Sequence, residues 1–335
     1  MKIGKISESV LKRSVLKQIK VNQDSKMICG AAVGADCAIF AFQGADFAQV
    51  ATCVQEAAVA GKADMERLLH RVANSLALAG ALPVAAMISL VLPESIEEPE
   101  IKELMTEAQR VCSQLGMNIA GGQTNVWQDV SGVHVSVTGV GQIEKNRFLL
   151  PGGAKAGQDI VVSKWVGLEG TAKVANFGAE QMTARYPLFL IEEACSFGKY
   201  ISVLPEAKIA LETGVSAMHD ISEGGIFRAL WELAESAGAG LHVDLKKIPI
   251  RQETIEVCEF FQINPYELLS GGSLIMTTDD GEGLVQKLEE SGITASVIGK
   301  ITAGNDRVIV NEDETRFLDR PRTDEIYKVE ALWKK

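Results

Sequence analysis

Residues 218–233 read MHDISEGGIFRALWEL. Within them, His219-Asp220-Ile221-Ser222-Glu223-Gly224-Gly225 forms a polar, glycine-rich turn that feeds the apolar-periodic stretch Ile226 to Ala237. A turn at the start of a helix presents backbone N–H groups to an anion, and Asp220 and Glu223 can hold a cation or a donor beside it. The pattern points to phosphate or nucleotide chemistry. An ordinary N-cap followed by a two-glycine bend reads the same seven residues equally well.

Working outward, Ile226–Ala237 predicts a helix, and the stretches around it alternate in kind. Residues 5–19 have helical period, Asn22–Lys26 breaks it, and Ala38–Phe42 and Phe47–Val54 read as strands about a turn at Gln43–Asp46. Met65–Ala79 is an Ala- and Leu-rich helix closed by Gly80, followed by a strand over Val84–Leu92 and a helix over Ile96–Leu115 ended by Gly116. Asn118-Ile119-Ala120 leads into a glycine turn at Gly121-Gly122, and His134–Val140 alternates as a strand. Residues 150–157, LPGGAKAG, concentrate turn formers and mark the best domain boundary. Beyond it come a strand at Asp159–Ser163, helices over Gly170–Phe177, Tyr186–Gly198 and Pro205–Gly214, and strands near 241, 273 and 295–301. The expectation is an α+β (mixed α/β) protein with mixed sheets flanked by helices: a first domain over 1–150, a second over 151–320 and a charged tail over 321–335.

Composition narrows the function classes. The chain has 335 residues, 47% hydrophobic and 23% charged, enough to bury two cores. A formal charge of -11 argues against nonspecific binding to nucleic acid or anionic membranes. Val84–Leu92 is too short to span a bilayer, and the N-terminus lacks a signal-peptide core, so a cytoplasmic location is expected. Cysteines at 29, 37, 53, 112, 195 and 258 include no CxxC, which predicts reduced, mostly buried thiols rather than zinc or disulfides. None of the glycine turns at 34, 121–122, 167–170 or 224–225 has Walker or dinucleotide spacing.

The chain resembles the aminoimidazole ribonucleotide synthetase-like superfamily, and most of all its hydrogenase-maturation branch. The resemblance rests on MHDISEGGIFRALWEL at 218–233, IPI at 248–250 and INPYELLSGGSLIM at 263–276, with GADCAIF at 34–40, VANSLALAGALPVAAM at 72–87 and AGGQTNV at 120–126. It implies a two-domain protein that dimerises through its first domain, around 38–54 and 84–92, and binds ATP with Mg²⁺. It further implies that Asp36 binds the metal, that Asn74, Gly122 and Thr124 position phosphate or water on the metal, and that the 219–225 turn holds an acceptor or phosphate. The activity implied is ATP-dependent phosphoryl transfer that activates an amide or similar oxygen, on a phosphorylated or amide-containing small molecule or a protein client. The alternative is a catalytically degenerate, homodimeric ligand-binding or regulatory protein.

Departures from the family pattern bear on that choice. The typical GDDAA reads Gly34-Ala35-Asp36-Cys37-Ala38, Cys53 stands where an acid is usual, and Gln123 replaces an Asp before Thr124. Magnesium favours hard, negative oxygen ligands, so these changes weaken the expected Mg·ATP site. No cysteine follows Cys258, so the terminal thiol of the maturation proteins has no counterpart. His219 is either a general acid or phosphate contact, or a packing residue; Asp220 and Glu223 line a ligand cleft or cap a helix. Lys164 is a phosphate contact or a solvated strand-end lysine, and Cys53 a nucleophile or, better, an inert buried thiol.

Overall fold

The computed structural model describes residues 7–19, 27–41, 49–144 and 147–333. The expected turn at Gln43–Asp46 and the Asn22–Lys26 break lie outside them. The chain divides into two compact units: an N-terminal unit of residues 24–31 and 36–148, and a C-terminal unit of residues 1–23, 32–35 and 149–335. Among the described residues no helix is long and apolar enough to cross a membrane.

The described chain opens on the short helix α1 (Glu8–Val10), which belongs to the C-terminal unit. In the N-terminal unit, strands β1 (Met27–Cys29), β2 (Ala38–Phe40), β3 (Gln49–Val59), β4 (Leu82–Pro93), β5 (Asn118–Trp127) and β6 (Val133–Ile143) form one sheet ordered β1-β2-β3-β6-β4-β5. Among the described residues of this sheet, only β4 and β5 pair in parallel. Helix α2 (Lys62–Leu78) buries Met65, Leu68, Leu69, Val72 and Leu76, a stripe at helical spacing, and packs on β3 and β6. Helix α3 (Glu98–Gln114) begins at a capping box between Glu97 and Glu100, stops before Gly116 at φ 72°, and packs on α2. Side chains alternate across a strand, so the sheet also presents Val54, Leu82, Val84 and Met87, all exposed.

Gly121 and Gly122 do not form the expected turn; both lie within β5. Gly122 has φ 154°, and a Cβ there would lie 1.7 Å from the Ile88 carbonyl oxygen of β4. Glycine is required because two backbones approach closely, a non-local cause that resembles a turn signal in sequence.

In the C-terminal unit, β7 (Asp159–Ser163), β8 (Ala217–Asp220), β9 (Gly240–Asp244), β10 (Leu274–Thr278), β11 (Ala295–Thr302), β12 (Arg307–Asn311) and β13 (Glu314–Phe317) form a sheet ordered β13-β12-β9-β11-β7-β10-β8. Its helices are α4 (Leu168–Met182), α5 (Leu188–Ser196), α6 (Leu204–Thr213), α7 (Gly225–Ala237), α8 (Gln252–Phe261), α9 (Gly281–Glu290) and α10 (Ile326–Trp333). Ile160, Val162 and Ile275 from the sheet meet Ile226, Leu230 and Leu233 of α7 in the main core. A second cluster joins α4, α5, α8 and α10 through Val174, Ile191, Val257 and Val329. Residues 321–333 are thus more than a charged tail, since α10 supplies core side chains. Two sheets flanked by helices give the expected α+β, mixed α/β architecture.

Candidate functional site at the end of strand β8

His219 and Asp220 end a strand rather than open a turn. They pair with Ile275 and Leu274 of β10, an alignment no local pattern encodes. After Asp220 the backbone is fixed bond by bond: Ile221 N donates to Ser273 O at 3.1 Å, and Ser222 O accepts from Gly225 N at 3.1 Å and Ser270 N at 3.3 Å. Gly224 and Gly225 have φ 87° and 64°, the left-handed region open to glycine. A Cβ on Gly225 would lie 2.5 Å from Tyr266 O, so this position also requires glycine for space.

The amide of Gly224 donates to Asp324 Oδ2 at 2.5 Å. With Gly225 N on Ser222 O, neither glycine amide is held open for an external anion, which corrects the sequence expectation. The anion at this helix start is internal, the Asp324 carboxylate. It also accepts from Leu269 N at 3.2 Å and Ile326 N at 2.7 Å, joining the turn, the 268–270 segment and α10. Burial pushes the Asp324 carboxyl up to about 6, against the pull of its three backbone donors, and the nearby Glu223 charge adds to the rise.

His219 is buried, and its Nδ1 lies 2.7 Å from the Asp220 carbonyl oxygen. A carbonyl only accepts, so Nδ1 carries the proton in that bond. Nε2 faces Glu232 Oε2 at 3.4 Å, and Glu232 Oε1 lies 3.6 Å from Arg228 Nη1 one turn earlier in α7. The half-buried Asp220 accepts from Ser222 Oγ at 3.5 Å. His219, Asp220, Glu223, Gly224 and Gly225 thus share one rigid stretch. Glu232, Arg228 and Asp324, which support it, were not singled out in the sequence. Glu232 and Arg228 were hidden in a helix read for its apolar period; Asp324, two residues before Ile326, carried only an N-cap signal.

Lys164 lies in the same unit with a different task. Its ammonium donates to Tyr200 O at 2.9 Å, Ser202 O at 2.7 Å and Gly272 O at 3.0 Å, and pairs with buried Glu206 at 2.5 Å. Burial lowers its pKa, opposed by the Glu206 charge. Neither the expected phosphate contact nor a solvated lysine describes it: the ammonium is held by three carbonyls and the Glu206 carboxylate.

Asp36, Asn74, Gly122 and Thr124 belong to the N-terminal unit. Asp36 is half-buried, Asn74 is buried in α2, and Gly122 and Thr124 lie on edge strand β5, where Thr124 is exposed. Beside Asp36, the Cys37 thiol donates to Ser75 O at 3.0 Å and Cys53 to Val72 O at 3.6 Å. The hydrogen-bonded Cys53 thiol, then burial, push the Cys37 pKa strongly upward. Both are buried beneath α2, so Cys53 is a packed thiol and not a presented nucleophile.

Residues 34–143 match the N-terminal domain, and residues 155–311 the C-terminal domain, of AIR synthase related protein. The chain belongs to the AIR synthase related family. Within that family it stands near the hydrogenase-maturation branch. It is 28% identical over 236 residues to the carbamoyl dehydratase HypE of Rhodobacter capsulatus, spanning 69% of this chain and 67% of that protein. Among solved structures, hydrogenase maturation protein HypE in complex with ATP superposes with a TM-score of 0.70 at 18% identity, covering 88% of this chain and 90% of that one. A HypE–HypF complex gives a TM-score of 0.70 at 18% identity, covering 81% and 90%. At these identities the two structures establish the AIR synthase related fold.

Proposed function

We propose that this AIR synthase related protein is an ATP-dependent enzyme that transfers a phosphoryl group to an amide or carboxamide oxygen, activating it for a following step. The observation that carries the reading is Asp220, a half-buried carboxylate at a strand end whose flanking backbone is pinned by Ser273, Ser222 and Asp324. Phosphoryl transfer depends chiefly on orientation and charge stabilisation, so a preorganised carboxylate needs no nucleophilic triad beside it. The Asp36 carboxylate suits Mg²⁺ in kind, since it offers a hard oxygen. Mg²⁺, when bound, would offset charge on the phosphates. Asp36 would hold it, and Asn74, Gly122 and Thr124 would position phosphate or water. Asp220 and Glu223 would orient the acceptor, and His219 would fix the strand end through its bond to the Asp220 carbonyl. Gly224 and Gly225 would shape the turn that presents Asp220 and Glu223, without lending their amides.

The exposed apolar side chains on the N-terminal sheet support a homodimer built through that unit, which would also be cytoplasmic. The complex of HypE with HypF suggests a protein client as one source of the amide.

Cys37 and Cys53 favour a second reading. Where the family pattern places acid near Asp36 there is a buried thiol, which fits a dimeric ligand-binding protein that no longer turns over. Calorimetry with ATP and ADP, with and without Mg²⁺, separates the two. Mg²⁺-dependent nucleotide binding followed by phosphate release supports the enzyme; absence of any nucleotide response supports the second reading.

A further inference from the structure

On another side of Gly224, the C-terminal unit encloses a cavity of about 450 Å³ between the start of α7 and residues 316–322. That volume lies in the range of small-molecule sites. Four arginines line it, Arg228, Arg316, Arg320 and Arg322, against two carboxylates, Glu267 and Asp319. The lining alone has a surplus of two positive charges on a chain whose formal charge is -11, with Arg322 paired to Asp319 at 2.9 Å and Arg228 facing Glu232, outside the lining, at 3.6 Å. Burial, reinforced by the Glu325 charge, raises the Glu267 pKa.

Arg228 is the decisive side chain. It is only 8% exposed, and its Nε is buried without a hydrogen-bond partner. The Nε lies against Gly224, where a Cβ would come within 2.3 Å of it. One other guanidinium nitrogen, Nη2, is committed to Arg322 O at 2.8 Å, which ties the helix to the far wall. A buried cationic donor left open is costly unless something meets it. Phe227, stacked on Tyr266 at 5.3 Å, and the exposed Phe317 add an apolar wall beside the charges.

We propose that this cavity is a second ligand site, which takes a small phosphate monoester without Mg²⁺. A monoester dianion matches the two-charge surplus, guanidinium forks match phosphate oxygens, and the aromatic wall accommodates the organic part. The site borders the acceptor turn at Gly224 but uses neither Asp36 nor Asp220, so its test does not depend on the nucleotide reading above.

The test is titration calorimetry of the full chain with inorganic phosphate in EDTA, at fixed ionic strength so that screening does not change. Arg316 and Arg322 are exposed and can be altered without opening the core, whereas an Arg228 variant could simply misfold. Arg316→Gln and Arg322→Gln should each weaken phosphate binding by about tenfold or more with unchanged melting temperature, and Asp220→Asn should bind phosphate as the parent does. Absence of phosphate binding, parental affinity in either arginine variant, or succinate binding at least as tightly would overturn the proposal.

Discussion

Asp324 shows how far a single residue can govern a candidate site from a distance in sequence. Its carboxylate accepts three backbone N–H groups from Gly224, Leu269 and Ile326, all buried. Asp324→Ala would leave those donors unmet, and urea unfolding should show a loss of about 3 kcal/mol. The pH dependence has a definite sign. Burial raises the carboxyl from 3.8 to about 6, so between those values the folded chain holds a proton that the unfolded chain has released. This contribution to stability is full below about pH 4, falls as pH rises toward about 6, and is level above. Asp324→Asn should remove that slope from a stability–pH profile, and an unchanged slope would show that another group titrates there. The side chains of 219–225 were visible in the sequence, but this partner was not, because the bond spans a hundred residues.

At the scale of elements, what was legible was what local periodicity encodes. α2, α3, α4, α7 and β7 follow from apolar spacing and from glycine or capping signals. β8 reads locally as turn because His219 and Asp220 are polar; its strand character comes from pairing with β10. The glycines of β5 misled for the opposite reason, being required by an approach to β4. Residues 252–261, 281–290 and 326–333 carry a weak helical signal in sequence, since only a few side chains of each reach the core. The start of α7 offers a direct check on local requirement. Gly116 and Gly225 both have positive φ, but a Cβ at Gly116 meets nothing within 4 Å, whereas one at Gly225 meets Tyr266 O at 2.5 Å. Gly116→Ala should therefore cost about 1 kcal/mol of backbone strain, and Gly225→Ala about 3 kcal/mol or more as overlap is added. Equal losses in thermal or urea melts would contradict the close packing described at Tyr266.

For the whole molecule, the order of family motifs made the two-unit fold readable, while the chemistry hinged on residues the sequence could name but not arrange. Exposed Val54, Leu82, Val84 and Met87 on the N-terminal sheet predict association there. Light scattering at low micromolar concentration should give the mass of two chains, and Met87→Glu should shift it toward one; a parent mass of a single 36.0 kDa chain would refute the dimer. The central claim, that Asp220 serves a Mg²⁺-dependent nucleotide reaction, is tested most directly by titrating ATP into parent and Asp220→Asn protein, each with Mg²⁺ and with EDTA. The account predicts ATP binding by the parent only with Mg²⁺, weakened about tenfold or more in Asp220→Asn, whose melting temperature is unchanged. ATP binding of equal strength in EDTA, or equal strength in the variant, would contradict it.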